Sequence, residues 1–191
     1  MRVKSEQNLG KTLSYFLRHN PKLIGGLAES WARTTNVIDQ LNISEAMLLK
    51  VVTSDSKHRF EFNPDHSMIR ARYGHSVPTE LQLHPTTPPV FLWHGTVERS
   101  SSSILSHGLL PQSRQFAHLS EKKSEALKVG QRHGSDVVLI RVAALWANIE
   151  DLEFYNAGKG VWLAKYVLPK YLTKVKCRER VSFAQRILHY I

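Results

Sequence analysis

The chain has 191 residues, 42% of them hydrophobic, and carries 26 Lys and Arg against 16 Asp and Glu, a formal charge of +10. That length suffices for one domain with a sizeable core or for two small ones, and the cationic excess favours a polyanionic partner without specifying any chemistry. The lone Cys177 excludes a disulfide framework and a cysteine-based zinc site. No apolar run approaches the ~18 residues of a membrane helix, and the start MRVKSEQNLGK lacks a signal peptide's apolar stretch, so a soluble, cytoplasmic protein with no membrane partner is expected.

The stretch LSYFLRHNPK, residues 13–22, reads as the end of an amphipathic helix. Leu9, Leu13, Phe16 and Leu17 fall within one stripe of about 100°, Arg18 points roughly opposite it, and His19 lies on its flank. Cations in a last turn complement the helix dipole, and Pro21 is a common stop, so taken alone the pair needs no chemistry. SEAMLLKVVTSD follows as a helix capped by Ser44, with Met47, Leu48, Val51 and Val52 as its apolar positions. RFEFN and MIRARYG then alternate apolar and polar residues around the turn signature PDHS. Helices followed by a hairpin, in under 90 cationic residues, resemble a winged helix.

TELQLHPTTPPV, residues 79–90, has three prolines and no helical period, and reads as a linker. Beyond it VFLWHG, AHLS, DVVLIRV, GVWLA and YLTKVKC read as strands, with helical stretches at 97–107 and 121–133. Many short strands with few helices predict an α+β domain built on a mixed or antiparallel sheet. No G-x-G-x-x-G follows a strand, which argues against a Rossmann site. The ten histidines include no HExxH or HxxxH pair, so no metal site is predicted. The basic tail Lys170–Arg186 reads as a solvated surface.

Four segments combine small residues with His or Arg at strand edges: HRF (58–60), YGHS (73–76), WHGT (93–96) and SRQFAHLS (113–120). Gly95 lets a ligand approach the backbone because no Cβ intervenes. His94 could bond a ribose hydroxyl, and Thr96 adds a second donor.

Taken in order, LSYFLRH, SKHRFEF, IRARYGHS, FLWHGT, GLLPQSRQFAHLS, ALKVGQRHG and GVWL resemble the tRNA 2'-phosphotransferase family, over nearly the whole chain. Those are NAD-dependent enzymes with an N-terminal winged helix and a C-terminal ADP-ribosyltransferase fold. The resemblance implies a winged-helix RNA-binding lobe over 1–80, a linker over 81–90, and an ADP-ribosyltransferase-like, mixed-sheet NAD-binding domain over 91–191. It implies that Arg18, His19, Arg59 and Arg114 surround the 2'-phosphate of a tRNA-like RNA. It also implies that His94, Gly95 and Thr96 hold the NAD ribose and amide, with His118 and Ser120 on the next motif strand and Val161 at the third motif position. Guanidinium groups suit a phosphomonoester, which carries nearly two negative charges at neutral pH, and His19 can donate to it near neutrality. The usual glutamate at the Val161 position is dispensable for an acceptor that is already anionic.

Two departures stand out. Tyr73 replaces the family's usual Gln before Gly-His-Ser, and GGLAESWARTTNVIDQL is shorter and less regular than the usual run, which puts the second helix in question. An ADP-ribosyltransferase acting on terminal phosphates of RNA or DNA, or on a protein, shares the implied first step and is the runner-up. A non-enzymatic winged-helix RNA-binding protein would leave the NAD-site motifs unexplained. Nothing in the sequence calls for more than a monomer.

Overall fold

The computed structural model describes residues 6–175; most of the basic tail therefore lies outside the described residues. The first helix, α1 (Glu6–His19), buries Leu9, Leu13, Phe16 and Leu17, the stripe that its period predicts. A 3-10 turn over Pro21–Ile24 leads to β1 (Ala32–Arg33), α2 (Thr34–Leu41) and α3 (Glu45–Thr53). The second helix put in question is present: α2 buries Val37 and Leu41. It has no side-chain N-cap bond and only eight residues, which is why its signal is weak. α3 is capped as predicted, Met47 N donating to Ser44 Oγ at 3.2 Å.

β2 (Phe60–Phe62) and β3 (Met68–Ala71) form the expected hairpin, and β1 joins them in the order β1-β3-β2, all antiparallel. Phe60, Ile69 and Ala71 from this sheet meet the α1 stripe, Val37, Leu41, Leu48 and Val51 in one apolar cluster. Residues 79–90 contain neither helix nor strand beyond an isolated antiparallel bridge from Pro85 to Tyr155. They are nonetheless anchored, with Thr86 N donating to the Phe154 carbonyl at 2.8 Å.

The second half alternates strands and helices: β4 (Leu92–Val97), α4 (Glu98–His107), β5 (Ala117–Ser120), α5 (Lys123–Gly130), β6 (Val137–Val142), α6 (Ala144–Ile149), β7 (Phe154–Gly158), β8 (Val161–Ala164) and β9 (Leu172–Val175). The sheet order is β7-β8-β5-β4-β6-β9. Every neighbouring pair runs antiparallel, so this six-stranded sheet is not mixed. Apolar patterning marks where a strand lies but not the direction in which the chain re-enters the sheet. Leu92, Leu119, Ile140, Val142, Phe154 and Trp162 form its main core. A smaller cluster of Tyr73, Tyr155, Ala157 and Leu163 joins the segment after β3 to β7 and β8.

Candidate functional site

The C-terminal end of α1 docks on the loop that follows β3. Ser76 N donates to the Arg18 carbonyl at 3.0 Å, and His19 Nδ1 shares a 2.8 Å hydrogen bond with Ser76 Oγ. The Arg18 guanidinium lies over the Tyr73 ring, 5.0 Å from its centroid. A Cβ on Gly74, whose φ is +90°, would sit 3.2 Å from that guanidinium. The helical wheel puts Arg18 roughly opposite the buried stripe, a face open to solvent unless something packs on it. Instead its Nε and Nη2 are buried, because the 73–76 loop covers the far side of the last turn, and neither nitrogen has a hydrogen-bond partner.

Burial lowers the Arg18 pKa to about 10, with Arg59 and Arg114 acting in the same direction. The group still carries its full charge at neutral pH. Buried donors with no acceptor cost roughly 1–3 kcal/mol, and charged ones more; an anionic ligand would satisfy them. His19 is held below its ordinary pKa by burial and then by Arg18 and Arg114, so the ring is neutral at pH 7 while no anion is present.

Arg59 is held differently. Its Nη2 and Nε donate to Asp55 Oδ1 at 2.9 and 3.1 Å, and its backbone N to Asp55 Oδ2 at 2.6 Å. Burial would raise the Asp55 pKa, but these bonds hold it below the ordinary carboxylate value. Arg114 is exposed beyond Pro111, and its guanidinium makes no hydrogen bond among the described residues. It is close enough to Arg18 and His19 to lower the pKa of both. The predicted quartet is thus brought together, with three members from the first half of the chain and one from the second.

Beside it, β4 and β5 are laddered only at Trp93 and Ser120. Here His94 Nδ1 donates to the His118 carbonyl at 3.0 Å, tying the two strands through a side chain. His118 Nδ1 in turn donates to the Phe116 carbonyl at 3.0 Å, which leaves its Nε2 as a buried acceptor with no partner. Burial and then Arg114 lower the His118 pKa to about 3, keeping the ring neutral. Ser120 pairs in register with Val161, and Val161 packs against the cluster that contains Tyr73. A partnerless acceptor, a serine hydroxyl and an unpaired guanidinium lie around this strand pair and suit a hydroxylated, anionic ligand. Among the described residues, no group of three or more His, Cys, Asp or Glu could hold a metal ion.

Gly95 is small for another reason than ligand access. A Cβ there would lie 1.7 Å from the Ala126 carbonyl oxygen and 3.0 Å from Gly130 N, so the missing side chain admits the α5 backbone. Thr96, the next residue, is buried beside the same crossing. Sequence reasoning did not assign Tyr73, Asp55 or Ser76. Asp55 lies in the turn after α3, where no helical period marks its pairing with Arg59; the other two lay within YGHS, whose contacts are long-range. His75, between them, is 1% exposed with both ring nitrogens unpartnered.

The sequence matches the family described as RNA 2'-phosphotransferase, Tpt1 / KptA family over residues 4–166. Among curated proteins, one from Agrobacterium fabrum is 44% identical over 170 residues, covering 85% of this chain and 91% of its own. One from Acaryochloris marina is 39% identical over 175 residues, covering 88% and 96%. One from Thermococcus kodakarensis is 36% identical over 174 residues, covering 87% and 96%. All three are named "Probable RNA 2'-phosphotransferase".

Proposed function

The chain belongs to the RNA 2'-phosphotransferase, Tpt1 / KptA family, and from that premise we propose that it removes an internal 2'-phosphate from a tRNA-like RNA by transferring it to NAD. The observation that carries this reading is the Arg18 guanidinium, two of whose donors are buried without an acceptor next to His19, Arg59 and Arg114. Such a cluster is costly unless it receives a group with several anionic oxygens.

NAD, as co-substrate, supplies an electrophilic ribosyl carbon and nicotinamide as leaving group. Arg18, Arg59 and Arg114 hold the 2'-phosphate, an oxygen of which bonds to the ribose 1″-carbon as the bond to nicotinamide breaks. The ribose 2″-hydroxyl then attacks the phosphorus of this ADP-ribosylated phosphate. The bond to the RNA 2'-oxygen breaks, His19 supplies that oxygen with a proton, and the hydroxyl's proton is lost. RNA leaves with a 2'-hydroxyl, beside ADP-ribose 1″,2″-cyclic phosphate. Charge grows on the phosphoryl oxygens in the second step, where guanidinium donors stabilise it most. His94, Thr96, His118, Ser120 and Val161 line the cofactor side, and Gly95 serves by letting α5 close on β4. No carboxylate is needed at Val161, because the acceptor is already anionic.

In this reading residues 1–80 form a winged-helix RNA-binding lobe, 81–90 a linker, and 91–191 an ADP-ribosyltransferase-like domain. Three helices with a three-stranded sheet, and separate apolar clusters for the two halves, support that division. The protein acts as a cytoplasmic monomer; among the described residues no helix is long and apolar enough to cross a membrane. The deciding experiment incubates an RNA bearing one internal 2'-phosphate with the protein, with and without NAD. The expected products are 2'-hydroxyl RNA, nicotinamide and the cyclic phosphate, and only with NAD. Release of inorganic phosphate, or turnover without NAD, would overturn the reading.

A further inference from the structure

Tyr73, which stands where the resemblance implies a Gln, lies where the two sides of the candidate site meet. Its ring is 8% exposed. One contact is the Arg18 guanidinium over its face at 5.0 Å. Another is the edge of His118, with ring centroids 5.9 Å apart at 61°. Its hydroxyl donates to the Lys57 carbonyl at 3.2 Å.

The two buried-side arginines are therefore fixed by opposite means. Asp55 holds Arg59 by hydrogen bonds from its Nε and Nη2 that offset its charge. Tyr73 attracts Arg18 through a ring face, which leaves its Nε and Nη2 without a partner and brings no carboxylate to offset its charge. We propose that Tyr73 is a positioning residue for the 2'-phosphate: its ring fixes the Arg18 guanidinium while leaving Nε and Nη2 open to the phosphate oxygens. An amide at this place would accept from one of those donors; the aromatic ring does not. The contact with His118 also joins the phosphate-binding arginine to the strand on the cofactor side. This inference rests on the reading that Arg18 binds the 2'-phosphate.

The test compares affinities for two RNA oligonucleotides that differ only by one internal 2'-phosphate, in wild type, Tyr73→Phe and Tyr73→Leu, with thermal midpoints recorded for each. Tyr73→Phe should keep the wild-type preference for the 2'-phosphate, since it retains the ring face that holds the guanidinium. Tyr73→Leu should lose about tenfold of that preference while binding the 2'-hydroxyl RNA as wild type does. Should Tyr73→Leu not fold, Tyr73→Met, which is flexible and has no ring face, is read by the same comparison. A preference unchanged in the Leu or Met variant overturns the proposal. So does an equal loss in Tyr73→Phe, or an equal weakening toward both RNAs. A wild type with no preference at all overturns the functional reading itself, and this inference with it.

Discussion

Arg18, Arg59 and Arg114 carry the same group into three different environments: buried and unpaired, tied to Asp55, and exposed. His19 reports on the first and third. Its pKa is depressed by burial and by Arg18 and Arg114, and a bound phosphate dianion would offset both cations and raise it. The sign follows: binding takes up protons, and affinity for 2'-phosphorylated RNA falls as pH rises. Titration calorimetry at pH 7.5 in two buffers of different ionisation enthalpy should show this uptake, and His19→Asn should abolish it. Equal heats in the two buffers would place His19 away from the phosphate. Arg114, exposed and with no side-chain hydrogen bond among the described residues, is the cleanest arginine to remove. Arg114→Ala should slow the second step by about 10²–10³ and so accumulate ADP-ribosylated RNA, visible on a gel that separates substrate, intermediate and product. Untouched substrate at all times would instead assign Arg114 to binding or the first attack.

At the scale of elements, the backbone crossing of β4 and α5 is the tightest constraint in the second half. Gly95→Ala would drive a Cβ to 1.7 Å from the Ala126 carbonyl, and no side-chain rotation relieves a clash with backbone. The loss should exceed about 3 kcal/mol, the upper end of ordinary overpacking, measured as a fall in the urea midpoint. An Ala variant of native stability would contradict the crossing. Gly95 shows how far the sequence could be read. The motif singled it out, and its smallness mattered, but the neighbour it admits is a helix 30 residues downstream rather than a ligand. α1, α3 and the β2–β3 hairpin were legible because each carries its own period, cap or turn. The short α6 and the strand β7 were not: α6 has six residues and no side-chain cap, and β7 lacks strict alternation of burial. Strand direction in the larger sheet is set by pairings distant in sequence, which local patterning does not encode.

At the scale of the whole molecule, the site exists only because the two halves meet. Gln115 N donates to the His75 carbonyl at 3.2 Å and its side chain to the Thr79 carbonyl at 2.9 Å. These bonds set the loop carrying Arg114 against the loop that covers Arg18. The formal charge of +10 belongs to the whole sequence, whereas the unpaired donors of Arg18 are buried at this junction. The two should respond differently to salt. Contacts between exposed cations and RNA phosphates weaken as log affinity falls with log salt, with a slope of about 0.7 per phosphate on a single strand. A buried pair is screened much less. Between roughly 50 and 200 mM salt, affinities for 2'-hydroxyl and 2'-phosphorylated RNA should both drop steeply while their ratio declines far less, as read by fluorescence anisotropy. A ratio that collapses in step with the affinities would mean that the 2'-phosphate is met on the exposed surface. Arg18 would then owe its burial to packing alone, and the junction between the halves would have no part in choosing the substrate.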